Sequence, residues 1–90
     1  MKENKMKIIW YHGIELGKAK KYSDIQKIFV EFCVDKYKDT IEESDETIDM
    51  TPAEISAFGV ALESKFNLGH GSGLYNILEY EDCYIIDWIK

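Results

Sequence analysis

Ninety residues, 46% of them apolar, suffice for one hydrophobic core and not for two, so residues 1–90 are read as a single domain. The chain has eleven lysines, no arginine and a net charge of −6. That argues against a nucleic-acid partner, because arginine is the preferred bidentate ligand of phosphate and guanine. No stretch approaches the ~20 apolar residues of a bilayer-spanning helix, no signal peptide is visible, and two cysteines are too few for a disulfide framework, so a cytoplasmic protein with free thiols is expected.

The chain opens basic. Residues 1–21 carry six lysines against two glutamates, whereas residues 22–90 carry five lysines against fifteen acids. Within the basic part, 6-MKIIWYH-12 is rich in β-branched and aromatic residues and reads as a strand, with Ile8 and Trp10 on one face and Ile9 and Tyr11 on the other. Gly13 and Gly17 bracket 14-IEL-16, which is either a short second strand or an irregular turn. The lysines of 18-KAKK-21 lead into a helix.

The first helix is expected from about Ser23, as its N-cap, to Tyr37 or Lys38. At 100° per residue, Ile25, Ile28, Phe29, Phe32 and Cys33 share a face, and Val30, Val34, Tyr37 and Ile41 widen it. An arc that wide marks either the central element of the fold or a helix whose second apolar side meets a partner. Residues 39–50, DTIEESDETIDM, then read as an acidic, solvated interhelix linker, since a run of like charges repels itself. Its carboxylates lack the central glycine and terminal glutamate of a calcium loop.

Thr51, Pro52 and Glu54 form a capping box with proline at the first helical position, which starts the second helix. Ile55, Phe58, Gly59, Leu62 and Phe66 share its apolar arc. The other side, Ala53, Ala57, Val60, Ala61 and Ser64, reads as surface, small enough also to permit tight contact with another chain. Gly59 lies inside the apolar stripe, where it serves as a point of close approach. The glycine run 67-NLGHGSGLY-75 follows a helix and precedes a strand. That is the reverse of a phosphate cradle, so it reads as a joint with Gly69 as a left-handed C-cap. The C-terminus reads as a hairpin, 74-LYNILEY-80 and 83-CYIIDWIK-90, reversed at Glu81–Asp82. It pairs Tyr75 with Trp88, Ile77 with Ile86 and Glu79 with Tyr84 on the core side, and Asn76 with Asp87 on the other.

The expected fold is therefore α+β, a small, mainly antiparallel sheet in the order β-α-α-β-β with two helices on one face. Its open edge is available to a second copy or a partner. His12, His70, Cys33 and Cys83 lack the paired spacing of structural zinc, and both cysteines read as small core hydrophobes, so no catalytic, metal or cofactor-binding residue is assigned. Of Tyr75, Tyr80, Tyr84, Trp88, Trp10 and Tyr11, some must remain exposed, where aromatic residues commonly anchor protein interfaces.

The sequence points first to a non-enzymatic protein-binding module. It would use Glu42, Glu43, Asp45, Glu46, Asp49, Tyr80, Glu81, Asp82 and Asp87 against a basic protein surface, one version being mimicry of a nucleic acid. Small acidic inhibitors made by phages and mobile elements resemble the chain in size and charge, though in no motif. The alternatives are a small-ligand or enzymatic domain built on His70 and Ser72, and a nucleic-acid binder using the lysines from Lys2 to Lys21. A homodimer is compatible with each of these.

Overall fold

The computed structural model describes residues 5–69 and 74–89, with Glu46 described by its backbone alone. The expectations for His70, Gly71, Ser72 and Gly73 lie outside the described residues.

Strand β1 (Lys7–Tyr11) turns back through His12 and Gly13 into β2 (Ile14–Ala19). Both turn residues have positive φ, 49° and 81°, the pattern of a type I′ hairpin. The short segment left open between strand and turn is thus a full six-residue strand. It includes Gly17 and Lys18 and carries a bulge opposite Ile9 and Trp10.

Helix α1 (Tyr22–Lys36) follows, with Lys21 and not Ser23 at its N-cap and with no side-chain cap. It ends one residue short of Tyr37, which sits at φ −108°, ψ 24° and opens a second helix, α2 (Lys38–Glu43). The segment expected to be a solvated linker therefore begins as a helix and continues as a 3₁₀ turn at Asp45–Thr47. One buried side chain, Ile41, pins it to the domain, and the Thr47 hydroxyl donates to the Ile41 and Ser44 carbonyls at 2.8 and 2.9 Å. Burial of one isoleucine outweighs the mutual repulsion of Asp39, Glu42, Glu43, Asp45 and Asp49, which remain in water.

Helix α3 (Pro52–Leu68) starts at the expected capping box, Glu54 N–H donating to Thr51 Oγ1 at 3.2 Å and Thr51 N–H to Glu54 Oε1 at 2.9 Å. It ends at Gly69, left-handed at φ 82°. Its buried side departs from expectation. Gly59, Val60, Glu63 and Ser64 are buried, and Phe66 is 70% exposed. The arc is turned by about one residue step, ~100°. Close approach decides this: a Cβ on Gly59 would stand 3.0 Å from Val34 Cγ2 and 3.2 Å from the Val34 backbone, so Gly59 faces α1, and its small neighbours follow it inward.

β3 (Tyr75–Glu79) and β4 (Cys83–Trp88) close the fold as the expected hairpin, in the expected register from Tyr75–Trp88 to Glu79–Tyr84. The sheet order is β2-β1-β4-β3, and β1 meets β4 in parallel, so the sheet is mixed and mostly antiparallel. The structure is a compact α+β domain with helices packed on one face of a four-stranded sheet, and the expected order gains β2 and α2. Ile9, Tyr11, Tyr84, Ile86 and Trp88 meet Ile25, Phe29 and Cys33 of α1 in the core. α3 rests chiefly on α1, which makes α1 the central helix. The far sheet face, with Leu78, Ile85 and Trp10 in one row, carries no helix.

Candidate functional site

The strongest electrostatic feature is a carboxylate that the sequence reading passed over. Glu63 of α3 is 1% exposed. Tyr11 of β1 donates to its Oε2 at 2.6 Å, while Tyr37 donates to Oε1 at 2.6 Å and Lys36 Nζ lies 2.9 Å from that same oxygen. Trp88 Nε1 donates in turn to the Tyr11 hydroxyl at 2.9 Å. Burial alone would push the Glu63 carboxyl up. The hydrogen bonds from Tyr11, Tyr37 and Lys36, with the lysine's charge, outweigh it and hold the group below its ordinary value. Burial followed by the same carboxylate drives both tyrosine hydroxyls upward, so at neutral pH they are neutral donors to a charged acceptor.

Only Lys36 of this group reaches solvent substantially. What the arrangement does chemically is join α1, α3, β1 and β4 through one charge-assisted network. Its one sequence signal was a lone carboxylate three residues after Val60, on the helix side that carries the small residues. Nearby Cys33 is fully buried, and desolvation pushes its thiol up to about 12, the state of an unreactive core cysteine. Among the described residues no three of His, Cys, Asp and Glu converge as metal ligands, and no helix is long and apolar enough to cross a membrane.

The residues expected to bind protein fall into three places. Tyr80, Glu81 and Asp82 form the β3–β4 turn, beside the start of α1, where Tyr22 donates to Glu79 at 3.3 Å. Lys7 sits at this turn, 3.1 Å from Glu79 Oε2 and 2.8 Å from the Tyr80 carbonyl. Its ammonium is held above its ordinary value chiefly by the Glu79 hydrogen bond, with Asp82 adding to the effect. Asp87 stands on the uncovered sheet face, 4.0 Å from His12 Nε2, and accepts the Trp88 N–H at 2.9 Å. Lys7 thus meets Glu79 and the Tyr80 carbonyl and His12 stands beside Asp87, while Glu81 and Asp82 are exposed.

Glu42, Glu43, Asp45 and Asp49 form the third place. They follow the other end of α1, ~22 Å along its axis from Tyr22, and are exposed on α2, the 3₁₀ turn and the approach to α3. Among the described residues none of these four side chains has a hydrogen-bond or ion-pair partner. The side chain of Glu46 lies outside the description. Of the aromatic residues, Tyr11, Tyr84 and Trp88 are core, Tyr75 and Trp10 are half-buried, and Tyr80 is 49% exposed.

Beside these acids a groove of about 540 Å³ opens between α1, α2 and α3. Val30, Val34, Ile41 and Ile55 supply its apolar surface, and Glu31, Asp35, Lys38 and Glu42 are its exposed charged residues. The acidic segment and the groove together are the candidate site. The chain matches none of the protein families, curated proteins and solved structures with which it was compared.

Proposed function

We propose that this protein is a non-enzymatic binding module whose acidic segment around α2 engages a basic surface of another protein. The observation that carries this reading is the set of exposed carboxylates, Glu42, Glu43, Asp45 and Asp49, which have no counter-charge among the described residues while Glu63 and Glu79 have theirs. Carboxylates held on a short helix and a 3₁₀ turn keep their spacing, which lowers the entropy lost on docking. Complementary charge of this kind accelerates and orients encounter. In its most specific form the reading is occupation of a nucleic-acid-binding site, with carboxylates where phosphates would lie. Both cysteines are free, which suits work in the cytoplasm.

The test is recovery of protein partners from the native cell by the intact chain and by the variant Glu42→Gln, Glu43→Gln, Asp45→Asn, Glu46→Gln. Exposed charge pairs contribute ~0.2–1 kcal/mol each, so removing four should weaken capture roughly tenfold, and raising the salt should mimic the loss. Equal recovery by the variant at low salt would sink the reading.

A further inference from the structure

We propose that the groove between α1, α2 and α3 is the seat of a basic amphipathic helix from a partner protein, the acidic segment serving as its electrostatic rim. The inference rests on the binding reading above and adds to it the shape of the partner.

The wide apolar arc of α1 is the starting point. Ile25, Phe29 and Cys33 are committed to the core. Val34 is crowded from one side by Gly59 of α3. Val30 and Val34 nevertheless remain only half-buried, because α2 turns away after Tyr37 and leaves a gap that Ile41 and Ile55 border but do not fill. The groove runs along α1 from Val30 to Asp35, ~7.5 Å, and continues past the break at Tyr37 to Lys38, Ile41 and Glu42 of α2. Apolar side chains from all three helices, Val30 and Val34 of α1, Ile41 of α2 and Ile55 of α3, converge there, which suits a partner helix with apolar anchors at i, i+3 or i+4, and i+7.

Charge selects among possible occupants. Three acids, Glu31, Asp35 and Glu42, stand at the groove against one base, Lys38, and Asp39, Glu43 and Asp45 continue the negative field beyond it. A second copy of the chain would bring the same acids to meet them, and like charges facing one another oppose docking. A nucleic acid is repelled for the same reason. A helix with aliphatic anchors flanked by Lys or Arg satisfies both the apolar surface and its rim.

The test uses full-length protein with labelled backbone amides and labelled Ile, Leu and Val methyls, titrated with two synthetic 16-residue peptides. One places leucines at i, i+4 and i+7 with lysines flanking them; the other has the same composition with the leucines spread around the helix. The expected result is one-to-one binding of the first peptide, at least about tenfold tighter than the second, with methyl shifts at Val30, Val34, Ile41 and Ile55. Ile55→Ser should lose most of that preference. Glu31→Gln with Asp35→Asn, at exposed positions that leave the core intact, should weaken binding and flatten its salt dependence.

Equal affinity for the two peptides, with shifts confined to backbone amides of 42–49, overturns the groove and leaves the acidic surface standing. Shifts centred on Ile8, Leu78 and Ile85 overturn it in favour of the uncovered sheet face. Failure of the first peptide to bind also overturns it. The wider reading falls only if partner capture proves indifferent to the four-acid variant.

Discussion

At Glu63, taking a carboxylate out of water is a cost that must be met by donors within the chain. Two phenols and an ammonium meet it, and the indole of Trp88 holds one phenol in place. Glu63→Gln keeps the shape but offers one acceptor where two were used, so the variant should be less stable by about 3 kcal/mol in urea denaturation at pH 7. The pH dependence is a second reading of the same contact. Because the folded carboxyl titrates below its ordinary value of 4.5, its contribution is complete above that value and is lost as the pH falls through the folded pKa. The stability gap between Glu63→Gln and the natural chain should therefore narrow below about pH 4. A gap of constant size from pH 7 to pH 3 would show that the network is not charged.

Among the elements, the contact of α3 on α1 is decided at one point. Gly59→Ala ordinarily gains ~1 kcal/mol of helix propensity. Here the added methyl meets Val34 backbone atoms at 3.2 Å, and the helices must part to admit it. Overpacking of this kind costs ~1–3 kcal/mol, so the net change should be a loss of about 1 kcal/mol in the urea midpoint series. A gain would mean that the two helices yield freely. The same contact explains the orientation of α3. Periodicity located an apolar stripe through Phe66, yet Phe66 lies outside, its ring stacked on Tyr37 at 5.5 Å, because small residues and not large ones allow α3 to approach α1.

For the whole molecule, the parallel pairing of β1 with β4 places the two ends of the sequence in the middle of one sheet. The C-terminal hairpin supplies Tyr84, Ile86 and Trp88 to the same core as Ile9 and Tyr11, so neither part has a core of its own. Unfolding of the intact chain should be a single transition, with Trp fluorescence and far-ultraviolet circular dichroism coinciding. A chain ended before residue 74 should show no cooperative transition, since β1 would become an open edge over a core missing three of its largest side chains. A folded truncated chain would place the core elsewhere.

Much of this was legible in the residues themselves. The capping box at Thr51, the left-handed Gly69, the hairpin register from Tyr75 to Trp88 and the alternation of Ile9 and Tyr11 with Ile8 and Trp10 are local, because caps, turns and strand periodicity depend on neighbours in sequence. The β1–β2 hairpin escaped because its turn is His-Gly, not the strong Asn-Gly signal. The side of α3 that packs, the helix inside the acidic segment, the parallel β1–β4 pair and the partners of Glu63 were settled only in the folded chain. Each depends on contact between residues far apart in sequence, where close approach of backbones and compensation of a buried charge outrank the periodicity of any single element.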